Sequence, residues 1–109
     1  MQRVFISHPL FSEYTQAKNF LSADRICRKA KESGYLPVSP LHLFSYFEET
    51  ETESDRLAIL EYCKTLIDTC DEVWSYGISG GCVIEVAYAK EIGKPIVDKR
   101  GDYLFWIDL

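Results

Sequence analysis

One acidic residue, Glu85, stands in an apolar run, residues 83–87, that follows a glycine-rich segment, residues 77–81. A carboxylate held at such a place can attack the anomeric carbon of a bound sugar. It can also stabilise the oxocarbenium ion that forms as a leaving group departs. Apolar neighbours favour the neutral acid and raise the pKa, which suits a carboxyl that exchanges protons. The alternative is an acid on the exposed side of a helix, without a chemical role.

Three glycines, Gly77, Gly80 and Gly81, surround Ser79 in the segment before Glu85. Glycine allows a ligand to lie close to the main chain, and Ser79 can cap the helix that follows. Backbone N–H groups at the start of that helix would then remain available to an anion or to sugar hydroxyls. We therefore expect these four residues to contact a substrate.

The segment around Glu85 belongs to a chain that alternates short strands with amphipathic helices. Strands are predicted over residues 3–7, 35–39, 72–76, 95–97 and 103–107, and helices over about residues 13–32, 54–69 and 82–91. Such alternation gives a parallel sheet with helices on both faces. We predict an α/β fold, a flavodoxin-like or Rossmann-like three-layer sandwich with a parallel sheet of about five strands, in one domain over residues 1–109.

Apolar periodicity predicts which faces of the first two helices are buried. The stripe of the first helix consists of Phe20, Ala23, Cys27 and Ala30, and that of the second consists of Leu57, Leu60, Cys63, Ile67 and Cys70. In the second strand, Pro37 has no N–H to donate, which predicts that this strand lies at an edge of the sheet.

Ligands of parallel sheets bind outside the carboxyl ends of the strands. At that edge, His8 is expected to contact a ribose hydroxyl or a phosphate, where titration near neutrality would be useful. Tyr14 and Lys18 can supply a hydroxyl and a charge to a phosphate, and Phe44 can stack on a base. The alternatives are a loop histidine without a role, and an aromatic residue in the small core of a covering loop or in a subunit contact.

The segment around Glu85 also resembles the signature of the nucleoside 2-deoxyribosyltransferase-like superfamily, S-x-G-x-x-x-E followed by x-A-x-A and G-K-P-[IV]. The residues that carry the resemblance are Ser79, Gly81, Glu85, Ala87, Ala89, Gly93, Lys94, Pro95 and Ile96. The N-terminal segment is similar to the first strand and G/S-x-P loop of that superfamily through Ser7, His8 and Pro9. The resemblance covers most of the chain, and it implies that Glu85 is the nucleophile and that the first loop binds substrate.

Two positions depart from relatives that transfer deoxyribose well, which tend to carry Asp where this chain has Ser79 and Cys63. Those acids hold the base and take part in proton chemistry. A Ser at the first position is similar to the small, functionally unassigned branch of the superfamily. The resemblance thus implies an N-glycoside hydrolase or a deoxyribosyltransferase-like enzyme. A protein that binds a nucleotide or nucleotide-derived signal in the same pocket, without turning it over, stays open.

Composition narrows the classes of partner. The 109 residues carry a net charge of −5, so the protein as a whole does not attract nucleic acid or an anionic membrane. The N-terminus leads directly into a strand without the apolar stretch of a signal peptide, which indicates a cytoplasmic protein. A nucleoside or nucleotide is the expected small-molecule partner.

The four cysteines and two histidines lack the spacing of a zinc or redox site, so we expect no metal and no cofactor. Large apolar side chains in the second helix and in residues 41–47 exceed what a small sheet needs for its cover. Exposed apolar surface of this kind is typical of an interface, and we predict a homodimer or larger homo-oligomer.

Overall fold

The computed structural model describes residues 1–9, 16–44, 52–77 and 80–100. The elements in these ranges are, in chain order, β1 (Arg3–Ser7), α1 (Gln16–Glu32), β2 (Leu36–Val38), α2 (Pro40–Leu43), α3 (Glu53–Thr69), β3 (Glu72–Ser75), α4 (Gly80–Glu91) and β4 (Ile96–Asp98). The described strands form one parallel sheet in the order β2-β1-β3-β4. The predicted α/β fold with a parallel sheet is confirmed. The fifth strand predicted over residues 103–107 lies outside the described residues.

Strand β1 organises both faces of the sheet. Its side chains alternate, so that Val4 and Ile6 pack with Ile26 and Ala30 of α1, while Phe5 packs on the opposite face. The second face is closed by α3 and α4, whose buried residues join those of β1 and β3 in one cluster: Ile59, Cys63, Ile67, Cys70, Val73 and Ala89. The result is three layers, with helices on both sides of the sheet.

Strand β2 lies at one edge of the sheet, as Pro37 predicted. Pro37 pairs with Val4, and β1 is the only neighbour of β2 among the described strands. The missing N–H of the proline therefore removes no bond to a further described strand.

The predicted helix stripes are correct in part. In α1, Ala23 and Ala30 are buried as expected, but Phe20 is 41% exposed. The buried face instead includes Asn19 and Ile26, because the helix is rotated by about one residue relative to the predicted stripe. A buried asparagine cannot be identified from hydropathy alone, since polar residues usually mark the solvent side.

The predicted stripe of the second helix is correct only from Cys63 onward. Cys63, Ile67 and Cys70 are buried, whereas Leu57 is 55% exposed and Ile59 takes the inward position. Apolar residues lie on two faces of the first turns of α3, so the sequence period does not choose between them.

Backbone contacts fix the junctions between layers. Gly34 and Gly93 end α1 and α4 with positive φ values of 87° and 77°, which glycine adopts without strain. Asp71 accepts a bond of 2.7 Å from the backbone N–H of Arg3, so this carboxylate joins the start of β3 to the start of β1. None of the helices in the described ranges has the length and apolar character required to cross a membrane.

Candidate active site

Glu85 lies in the second turn of α4, close to the carboxyl end of β1. Only 5% of the residue is exposed. The Ser7 hydroxyl donates a hydrogen bond of 2.7 Å to Oε1 of Glu85. Ser7 is the last residue of β1 and pairs with Ser75, the last residue of β3. The carboxyl group therefore sits where the two central strands end, the usual ligand edge of a parallel sheet.

Cys63 approaches the same carboxyl group from α3. The residue is fully buried, and the interaction of its thiol with Glu85 acts to lower the pKa of that carboxyl. Burial raises the pKa of the Cys63 thiol far above its usual range, and the neighbouring charge of Glu85 raises it further. Cys63 therefore remains a protonated thiol, the form that can donate to the carboxylate. Three elements, β1, α3 and α4, thus meet at one acidic group.

Burial raises the pKa of Glu85 from its ordinary value of 4.5 to about 7, while the hydrogen bonds from Ser7 and Cys63 act in the opposite direction. The burial does not come from the apolar neighbours in sequence, because Val83 is 58% exposed and Ile84 is 41% exposed. It comes from the packing of α4 against α3 and the sheet. A carboxyl with this pKa can both accept and release a proton near neutrality.

His8 lies on the opposite face of the sheet from Glu85, in contact with α1. Because the carbonyl of Pro9 can only accept, the ring Nδ1 of His8 donates to it over 2.9 Å. The ring Nε2 then accepts from the Ser22 hydroxyl at 3.0 Å. Burial lowers the pKa of His8 to about 4, although the bond to the Pro9 backbone raises it. The ring is neutral at pH 7, and its contact with a substrate stays a prediction.

The first loop and the glycine segment touch each other. A Cβ atom on Gly77 would lie 2.6 Å from Cδ of Pro9 and 3.0 Å from Sγ of Cys82. Gly77 is therefore required by the close approach of Pro9. A Cβ atom on Gly81, by contrast, would meet no described atom within 4 Å. Within the described ranges, the position that a Gly81 side chain would take is thus unfilled.

The remaining predicted site residues are placed as follows. Gly80 begins α4, and Lys18 is exposed on α1. The ring of Phe44 lies 5.5 Å from that of Tyr62, and Phe44 packs against the α3–α4 side of the core. This matches the alternative interpretation of Phe44 as part of a small core. Tyr14 and Ser79 lie outside the described residues.

Two contacts of the site were not predicted from the sequence. The sequence predicts Cys63 as a buried stripe residue but not its interaction with Glu85, and it does not indicate Ser22 as the partner of His8. The available signal was strand alternation, which places Ser7 on the face of Phe5 and His8 on that of Ile6. In the described part of the chain, no three His, Cys, Asp or Glu side chains group together in a way that could hold a metal ion.

Fold and site together define a parallel α/β domain with a buried carboxyl at the carboxyl edge of its sheet. The chain belongs to the family described as a domain of unknown function, DUF7768, which matches residues 2–99. No curated protein matches it. A solved structure of a 2-deoxyribosyltransferase from the psychrotolerant bacterium Bacillus psychrosaccharolyticus has the same fold, with a TM-score of 0.67 and 15% sequence identity. The match covers 88% of this chain and 70% of that chain, whose enzyme is described as a biocatalyst for nucleoside synthesis.

Proposed function

We propose that this protein cleaves the N-glycosidic bond of a nucleoside or nucleotide, with Glu85 as the nucleophile and with water or a second base as acceptor. The observation that carries the proposal is the buried Glu85 carboxyl, held by the Ser7 hydroxyl at the carboxyl edge of the sheet. An acid with only a structural role would gain more from a cation partner or from exposure, because burial of a lone carboxylate is costly.

The chemistry follows from this carboxyl group. The Glu85 carboxylate attacks the anomeric carbon of the sugar as the bond to the base breaks, and the departing nitrogen takes the electron pair of that bond and a proton from solvent. Water, or an N–H nitrogen of a second base, then attacks the same carbon, loses its proton to solvent and displaces the Glu85 carboxylate. With a pKa of about 7, a large share of Glu85 is ionised at neutral pH and available for attack.

The surrounding residues are assigned to binding. We assign Ser79, Gly80 and Gly81 to the binding of the sugar or a phosphate through backbone N–H groups. The absence of any described atom within 4 Å of a Cβ on Gly81 supports this assignment. The segment of Ser7, His8, Pro9 and Gly77 forms the adjoining wall. Tyr14, Lys18 and Phe44 are the proposed contacts to a phosphate and a base.

Release of free base provides the direct test. The protein is incubated with a panel of deoxynucleosides, ribonucleosides and their 5′-monophosphates, with and without a second base, and the products are separated by chromatography. For any substrate that reacts, Glu85→Gln should lower turnover roughly a hundredfold or more, because the lost interaction is made mainly in the transition state. Glu91→Gln, an exposed change on the same helix, is the matched control. Absence of base release at high protein concentration, or full turnover by folded Glu85→Gln, would contradict the proposal.

A second candidate function is binding without turnover, and Cys63 is the observation that favours it. A thiol stands beside Glu85 where the resemblance implies an acid that takes part in proton chemistry. Under this alternative, a nucleotide or nucleotide-derived signal occupies the same pocket and is recovered intact. Calorimetry followed by mass spectrometry of the ligand separates the two functions, since a tight ligand returned unchanged identifies a binding protein.

We also propose a homo-oligomer. Exposed apolar side chains lie on both helices of the α3–α4 face, including Leu57, Val83 and Ile84, and Leu43 adds a further one in α2. Light scattering at working concentration should give a mass of at least twice the 12.6 kDa of the chain. A monomer mass would remove the proposal.

A further inference from the structure

We propose that Ser7 and Cys63 are a pair of positioning residues that hold the Glu85 carboxyl in one orientation and select its protonation state. The catalytic meaning of the pair rests on the proposed function, but the pair itself can be tested without any substrate. The geometry that points to it is the convergence of β1 and α3 on one side chain of α4. All three residues are buried, and Ser7 Oγ lies 2.7 Å from Oε1.

The hydroxyl of Ser7 is committed to Glu85. A serine hydroxyl has one proton to donate, and here the carboxylate accepts it. While that bond persists, Ser7 can only accept a bond from a substrate. Its main effect on a reaction is therefore exerted through Glu85.

The two partners differ in what they can do for the neutral acid. When Glu85 takes up a proton, the Ser7 hydroxyl can rotate and accept from the new O–H group. A thiol sulfur is a weak acceptor, so Cys63 supports the carboxylate far better than the neutral acid. Ser7 thus fixes the orientation in both states, and Cys63 favours the charged state. This division of roles predicts that a stronger donor at residue 63 lowers the pKa of Glu85 and that loss of the donor raises it.

The experiment is a carbon-13 NMR titration of glutamate-labelled full-length protein, with the Glu85 signal assigned by its absence in Glu85→Gln. In the wild-type protein the signal should titrate near pH 7. Ser7→Ala and Cys63→Ala should each raise its proton affinity by about tenfold, the size expected for a lost hydrogen bond to a charged group. Cys63→Ser should lower the proton affinity, because a hydroxyl is a better donor than a thiol.

Cys63→Ser and Cys63→Ala should shift the titration midpoint of Glu85 in opposite directions. A packing defect would shift the midpoint in the same direction in both variants, so the comparison separates positioning from packing. Ser7→Thr retains the hydroxyl and should leave the titration midpoint unchanged, which keeps the test valid if Ser7→Ala does not fold. Cys27→Ser changes a thiol on the other face of the sheet and is the control. An unchanged midpoint in Ser7→Ala and Cys63→Ala, or equal shifts in the two Cys63 variants, would overturn the inference. Failure of base release with this titration pattern intact would remove only the proposed function.

Discussion

Replacement of Glu85 with glutamine should change how the stability of the protein depends on pH. Burial raises the pKa of Glu85 from 4.5 to about 7 in the folded state, so the folded protein binds this proton more tightly than the unfolded chain does. The stabilising contribution is fully present below about pH 4.5 and is lost as the pH rises through 7. A difference of about 2.5 pKa units corresponds to roughly 3 kcal/mol of unfolding free energy.

His8 has the opposite effect over almost the same range. Burial lowers its pKa from 6.5 to about 4, so the folded protein binds this proton less tightly than the unfolded chain. Its contribution is present above about pH 6.5 and is lost as the pH falls through 4, again on the order of 3 kcal/mol. Between about pH 4.5 and 6.5, the fall in unfolding free energy from Glu85 cancels the rise from His8. The wild-type protein should therefore show little net pH dependence from these two groups.

Glu85→Gln removes the Glu85 contribution to the pH dependence of the unfolding free energy. Of the two groups, only His8 then contributes. Its unfolding free energy should rise by about 3 kcal/mol between pH 4 and 6.5, and above pH 7 it should exceed that of the wild type by a similar, order-of-magnitude amount. Urea unfolding at a series of pH values, followed by tryptophan fluorescence, measures both quantities, since Trp74 lies buried in β3. Glu91→Gln is the control, because this exposed acid should leave the profile parallel to that of the wild type. A Glu85→Gln profile parallel to the wild type would refute the assignment of Glu85 as a buried group with a raised pKa.

Two further predictions concern the first loop. His8→Asn removes the His8 contribution to the pH dependence, so the unfolding free energy should fall by about 3 kcal/mol as the pH rises from 4.5 to 7. The same urea series measures this fall, and an unfolding free energy that does not change with pH would contradict it. Gly77→Ala places a methyl group against the Pro9 ring and should destabilise the protein by about 1–3 kcal/mol. Gly81→Ala, which meets no described atom within 4 Å, should stay within about 1 kcal/mol of the wild type in thermal unfolding. An equal loss of stability in Gly77→Ala and Gly81→Ala would show that the contact with Pro9 does not determine which residue is tolerated at position 77.

The features that the sequence predicted correctly are those with a direct physical cause in the residues themselves. The strand and helix alternation predicted the parallel sheet, and Pro37 predicted that β2 lies at an edge. The glycine turn followed by an acid in an apolar run singled out Glu85, which the structure places in a buried position. The apolar run alone does not explain the raised pKa of Glu85, because Val83 and Ile84 face outward and the packing of other elements excludes water.

The rest required three-dimensional information. The contact between Cys63 and Glu85 depends on how α3 and α4 cross, and a thiol gives no sign in the sequence that it is a donor to a carboxylate. His8 is partnered by Ser22 because α1 lies over the end of β1. The ring contact between Phe44 and Tyr62 depends on how α2 lies beside α3, which the sequence does not give.

The close approach of Pro9 to Gly77 constrains how this fold can change by mutation. Any side chain at residue 77 must first be accommodated by a smaller or displaced residue at position 9, since Cδ of Pro9 would lie 2.6 Å from the added Cβ. The two positions are 68 residues apart in the chain, yet the side chain tolerated at residue 77 depends on the residue at position 9. Related sequences that carry a larger residue in place of Gly77 should therefore lack proline in place of Pro9, and a library that randomises residue 77 should yield more folded variants when residue 9 is varied with it.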